Sequence, residues 1–129
     1  RGFLPVYNNE FLIHGLANLD RPPLDYRVTF VSSGPGLEHA ISVADRVLDP
    51  GGRSRVRFLG GVTDDEMIRI LAASHIYVSM ARSEGTPISL LESLATGLFP
   101  ILSDIPQNRV VMIVLERHSV ALAYQHTVY

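Results

Sequence analysis

The chain has no cysteine, so neither a disulfide framework nor a thiolate metal site can be built from it. That absence fits a reducing compartment. Lysine is absent too, and all 11 of the Lys-or-Arg cations are arginines. Charge of either sign is scarce: 19% of residues are charged, and the net charge is −2. Acids and bases are spread along the chain, without the basic footprint of a nucleic-acid binder. The longest purely apolar run, VVMIVL at residues 110–115, is far below the roughly 20 residues that span a bilayer. There is no visible signal peptide, internal repeat, low-complexity segment or interdomain linker. What remains is a globular composition, 47% hydrophobic over 129 residues, enough for one domain with its own core. The first residue is Arg1 rather than Met, and Arg1–Leu4 reads as the end of a strand. We therefore expect a fragment of a longer protein.

Hydrophobic spacing divides the chain into alternating elements. Phe11, Leu12, Gly15, Leu16 and Leu19 repeat at helical spacing, with Asn8 or Asn9 available as a cap. DRPPLD is a turn, because two prolines exclude helix and central strand. Val28 to Ser32 is β-rich, and after SGPG a helical pattern runs through Leu37, Ala40, Ile41, Ala44 and Leu48 until DPGGR breaks it. VRFLG is a second strand. Thr63 and Glu66 then form a capping box at the start of a third helix. HIYVSM is a third strand, ISLLESLATG a helix stopped by Gly97, and LFPILS a fourth strand. Residues 107–116 read as a helix and SVALAY as a last strand. Short apolar strands alternating with helices predict parallel β-α-β units, hence an α/β, Rossmann-like, doubly wound parallel sheet. Ligands in such sheets bind beyond the carboxyl ends of the strands. That directs attention to SSGPG, GGVTDD, SMARSEGTP and LSDIPQN.

Several familiar chemistries lack their parts. The Gly-x-Gly of SSGPG has His39 where a dinucleotide pattern wants a third glycine, so a tight strand-to-helix turn explains it. A dinucleotide oxidoreductase also wants a good ribose-binding acid after the first strand, which this chain lacks. The five histidines, at 14, 39, 75, 118 and 126, show no metal-ligand spacing. No serine lies in a Gly-x-Ser-x-Gly elbow.

SEGTPISLLESLATG, residues 83–97, is different. Thr86 suits an N-cap and Pro87 the first helical position, which would leave the N–H groups of Ile88 and Ser89 facing the strand-end cleft as an anion site. Glu84 precedes that helix start. On a helical wheel Glu92 is flanked by Ile88, Leu91 and Ala95 on one side and by Ser89 and Thr96 on the other, with Leu90 and Leu94 opposite. It is the helix's only charge, so we expect it to be at least partly buried and in need of partners. Two readings stay open. The acids could grip hydroxyls on either side of a diphosphate, or Glu92 could satisfy a loop or pair with Arg1 or Arg82 while Glu84 is a solvated loop acid.

The run Glu84-Gly-Thr-Pro-Ile-Ser-Leu-Leu-Glu92, followed by SLATGLFPILSD, resembles the donor-site signature of retaining GT-B glycosyltransferases of the group 1, family-four type. The upstream order FVSSGPG, VRFLGGVTDDEM and AASHIYVSMARSEGTP resembles that family as well, so the likeness spans roughly residues 1–109. The resemblance implies that residues 1–129 are a single nucleotide-sugar-binding domain, the C-terminal half of a GT-B fold. It implies that Glu84 is the catalytic carboxylate, on the hydroxyls of the transferred sugar. Gly85, Thr86, Pro87, Ile88 and Ser89 would line sugar and diphosphate, with backbone N–H groups from all but Pro87. Glu92 would hold the ribose, Gly61 and Val62 would meet the base, and Arg1 would bind the diphosphate. No cofactor or tightly bound metal is implied. The implied partners are a nucleotide-sugar and a missing N-terminal domain or another protomer. The implied location is the cytoplasm, at the inner membrane surface through that missing domain. The chain departs from the family in having FLPVYNN where many members carry a lysine after the arginine, and in a glycine-free tail, RVVMIVLERHSVALAY. An alternative of a different class is a non-catalytic scaffold that dimerises through an exposed domain interface.

Overall fold

In the computed structural model, residues 3–19 and 25–114 are described. A 3-10 turn at Pro5–Tyr7 leads into α1 (Asn9–Ala17). Then come β1 (Val28–Val31), α2 (Leu37–Val47), α3 (Pro50–Ser54), β2 (Val56–Leu59), α4 (Asp64–Ala72), β3 (Ile76–Ser79), α5 (Ile88–Ala95) and β4 (Phe99–Leu102). A sixth helix, α6, follows at residues 106–114. The expected alternation is therefore present, and the class is Rossmann-like α/β. All strand pairing among the described residues is parallel. Hydrogen bonds join the strands in two pairs, β1 with β2 and β3 with β4. The expected SVALAY strand and most of the DRPPLD turn lie outside the described residues.

The core gathers on one face of β1–β2. Phe30 and Phe58 are register partners, stacked with ring centroids 5.0 Å apart. The Phe3 ring sits 6.2 Å from Phe30 and 6.1 Å from Phe58. Ile13 and Leu16 of α1 and Ala40, Val43 and Ala44 of α2 close over this cluster. The buried stripe of α1 is thus Ile13 and Leu16, spaced i, i+3, whereas Phe11 of the expected stripe is 62% exposed and Leu19 is exposed as well. Asn8 occupies the N-cap position of α1 but makes no cap bond with its side chain, and it adopts a left-handed backbone (φ 53°). Segment DPGGR, read as a breaker, holds the five-residue helix α3. Asp49 caps it by accepting from the Gly52 N–H at 2.6 Å, and Pro50 opens it. On the other sheet, Ile76 pairs in register with Phe99 and Val78 with Ile101. These share a face, and Phe99 is 68% exposed on it.

The capping box of α4 forms as expected. Thr63 Oγ1 accepts from the Glu66 N–H at 3.3 Å, and Glu66 Oε2 accepts from the Thr63 N–H at 2.8 Å. The Thr63 N–H first, and then the Thr63 hydroxyl, which donates to Glu66 Oε2 at 2.9 Å, hold the Glu66 carboxyl below its ordinary 4.5. The folded value is depressed, so this contribution to stability is complete above about 4.5 and fades as pH falls through the folded value. Thr63→Ala should cost about 1 kcal/mol at neutral pH. Its further loss on acidification should be smaller than the wild type's but still present, since the backbone donor remains. Thermal melts at pH values stepped down through 4.5 check both points.

Candidate functional site

The loops singled out from the sequence meet at the carboxyl ends of the strands. Gly61, after β2, lies against Ser33, after β1; a Cβ built on Gly61 would sit 3.6 Å from Ser33 Oγ. The loops after β3 and β4 are tied by Ser103, whose N–H donates to Ser79 O at 2.8 Å and whose hydroxyl donates to Ala81 O. Residues 3–8 join the two groups of loops. The Phe3 carbonyl lies against Gly36, after β1, and the Val6 carbonyl accepts from the Arg82 N–H, after β3, at 2.8 Å. Gly60 and Gly61 are exposed and Val62 is half-buried.

The start of α5 differs from the expectation. Pro87, not Thr86, occupies the N-cap position, and it makes no side-chain cap bond. The Ile88 N–H is taken by Thr86 O at 2.9 Å, and the Leu90 N–H by Pro87 O at 3.0 Å. Among the described residues, no backbone carbonyl takes the Ser89 N–H of this turn. The Ser89 hydroxyl shares a 2.8 Å hydrogen bond with Tyr77 OH of β3, which pins the first turn to the sheet in place of a cap. Before the turn, Glu84 is half-buried, Gly85 and Thr86 are exposed, and Pro87 is buried.

Glu92 is a correction. It is exposed, as are Leu91 and Ile88, the latter at 59%. The face of α5 that packs inward is Leu90 and Ser93, with Ser93 at 0% exposure and its hydroxyl donating to Leu90 O at 2.7 Å. The wheel placed a lone charge among apolar neighbours and inferred burial. The helix instead turns a small, internally satisfied serine to the core and leaves Ile88 and Leu91 outside with the acid. Nor does Glu92 pair with Arg82, whose guanidinium donates to Asn8 Oδ1 at 3.3 Å. Arg1 lies outside the described residues.

Two groups at this end of the sheet went unnoticed in the sequence. Asn108, at the start of α6, is 3% exposed and donates through Nδ2 to Ser103 O at 2.9 Å, while its Oδ1 meets no donor among the described residues. A buried acceptor left unmet is uncommon and costly. The sequence signal was only an asparagine near a turn. Asp104 and Arg109 form a two-point pair across that turn, and the Arg109 N–H bonds hold the Asp104 carboxyl below its ordinary value. His39 bonds to Glu10 at 2.8 Å, joining the first turns of α2 and α1.

Comparisons with known proteins bear on this site. The family model described as Glycosyl transferases group 1 matches residues 2–124. A GDP-mannose:cellobiosyl-diphosphopolyprenol alpha-mannosyltransferase of Xanthomonas campestris is 28% identical over 74 residues, covering 55% of this chain and 20% of the relative. A protein of the same name from Xanthomonas oryzae pv. oryzae (strain PXO99A) is 27% identical over 74 residues, with the same coverage of both chains. The matched stretch is thus about a fifth of the relatives' length.

Proposed function

The chain belongs to the group 1 glycosyl transferases, and from that premise we propose that it is the donor-binding half of a retaining hexosyltransferase that uses a nucleoside-diphosphate-sugar. One observation carries the reading. The loop 83–87 runs from the carboxyl end of β3 past a half-buried Glu84 into an α5 turn that offers the Ser89 N–H, with an accessible Glu92 one turn further on. In this reading Ser89 and its neighbours take the diphosphate, Glu84 the sugar hydroxyls and Glu92 the ribose. Gly61 and Val62, on a loop that touches the loop after β1, take the base. Arg1 adds a cation. The bond from the anomeric carbon to the diphosphate oxygen breaks, and its electron pair leaves on that oxygen. The acceptor hydroxyl bonds the same face of the anomeric carbon and gives its proton to the departing diphosphate. N–H groups fixed before the reaction stabilise the charge as it develops there. No resident cofactor or metal is part of this reading. An N-terminal domain or another protomer completes the cleft and supplies the acceptor. No helix among the described residues is long and apolar enough to cross a membrane. We place the domain in the cytoplasm, at the inner membrane surface through its partner domain.

Calorimetric titration of the chain with GDP, UDP, ADP and their sugars tests the reading. GDP comes first, because the Xanthomonas relatives are named for GDP-mannose. We expect heat with one base and a further gain from the attached sugar. Absence of heat and of thermal shift with every member would sink the proposal. The scaffold alternative has its own observation, the exposed face of Ile76, Phe99 and Ile101. A tight dimer by light scattering that binds no nucleotide would favour it.

A further inference from the structure

A chain without lysine must meet a diphosphate with arginine, histidine or backbone N–H groups. The described arginines sort by place. Arg27 and Arg55 immediately precede β1 and β2, and Arg46 and Arg69 lie in the last turns of α2 and α4, all at the amino ends of the strands. Arg53 is paired with Asp45 and lies over the Phe58 ring, and Arg57 sits within β2. Two described arginines remain at the carboxyl ends, Arg82 and Arg109. Arg109 is engaged at two points by Asp104. Arg82 is exposed, and among the described residues no carboxylate pairs with it.

Its surroundings hold it without neutralising it. The Arg82 N–H donates to Val6 O at 2.8 Å, and the guanidinium donates to Asn8 Oδ1 at 3.3 Å. Asn8 stands at the N-cap of α1, where an asparagine side chain ordinarily caps its own helix, yet its side chain makes no cap bond. The amide oxygen fixes one edge of the guanidinium and leaves other N–H donors of the planar fork for a ligand. Arg82 also stands immediately before the loop 83–87 that carries Glu84 and ends at α5. We propose that Arg82 binds the diphosphate of the nucleotide at this cleft, as the cation that FLPVYNN does not supply. A guanidinium suits two phosphate oxygens at once. The assignment rests on the donor-site reading and names one contact within it.

The test is calorimetry on the chain with whichever of GDP, UDP or ADP the wild type binds, and with the matching nucleoside. Arg82→Gln keeps the backbone bond to Val6 and removes the charge. It should weaken the diphosphate about tenfold, as loss of one charge-assisted bond does. Nucleoside affinity and melting temperature should stay unchanged, and Arg82→Lys should recover part of the loss. Diphosphate affinity equal to wild type in Arg82→Gln overturns the assignment, as does an equal loss for diphosphate and nucleoside. If Glu92→Gln weakens the nucleotide while Arg82→Gln does not, the donor site stands and Arg82 is excluded from it. If the wild type binds no diphosphate, the donor reading and this assignment fall together.

Discussion

Gly36→Ala should lower the stability of the chain by about 3 kcal/mol, at the upper end of what forcing an extra methyl into a packed site costs. A Cβ at position 36 would stand 1.9 Å from the Phe3 carbonyl oxygen, 2.9 Å from its carbon and 3.0 Å from Phe3 Cβ. Two of those three atoms are backbone and cannot move aside by a rotamer change. Shifting the segment would drag the Phe3 ring from its place beside Phe30 and Phe58, which is the centre of the described core. Here glycine is needed for close approach and not for a left-handed backbone, since its φ is −90°. The control is Gly15→Ala within α1, where nothing lies within 4 Å of an added Cβ. That change should stabilise by roughly 0.5–1 kcal/mol, the helix preference for alanine over glycine. Urea unfolding midpoints should therefore move in opposite directions for the two variants. Equal midpoints for Gly36→Ala and wild type would show that residues 3 and 36 do not pack as described.

The same contact shows what the sequence could and could not convey. SSGPG read as a tight turn, which is local and correct, but the partner that demands Gly36 is Phe3, far away in sequence. Local features were legible for the reason that they are local. Thr63 and Glu66 are three residues apart and bond each other whatever the rest of the chain does. The α3 helix had a legible start in Asp49-Pro50, and two following glycines obscured it. Facing is a different matter. A wheel gives the angles between residues on a helix and not the direction in which the sheet lies. So the helical spacing that includes Phe11 and Leu16 does not show that Ile13 and Leu16 face the core, and the wheel that expects Glu92 inward does not show that Ser93 is there instead. The pairing of strands two and two is likewise decided by hydrogen bonds between distant segments. In the site, the spacing of Glu84 and Glu92 was legible. The bond between Tyr77 and Ser89 was not, because it joins a strand to a helix through two ordinary residues.

Glu92→Gln should weaken bare nucleoside diphosphates and their sugar conjugates equally, by about ten- to a hundredfold. Glu84→Gln should weaken the sugar conjugates by a similar factor and bare diphosphates far less. Those magnitudes follow from a carboxylate accepting one or two hydroxyl bonds, each worth roughly 1.5–3 kcal/mol when one partner is charged. The split follows from position. Glu84 precedes the α5 turn and Glu92 follows it, so a diphosphate seated at that turn has its two ends near different acids. The exposure of Glu92 strengthens the comparison. An exposed acid on the outer face of α5 contributes little to folding, so its amide variant should melt with the wild type, and any loss of affinity is then a loss of contact with ligand. The measurement is a four-way titration: wild type, each single variant and the double variant, each with GDP and GDP-mannose or the pair that the panel selects. Additive losses for the sugar conjugate would mean that the acids act on separate parts of it, as the positions require. If both variants match wild type with every ligand, the carboxylates are surface groups and the donor site lies elsewhere. Should Glu84→Gln weaken the bare diphosphate as much as the conjugate, Glu84 belongs with the phosphates and the sugar end needs another acid.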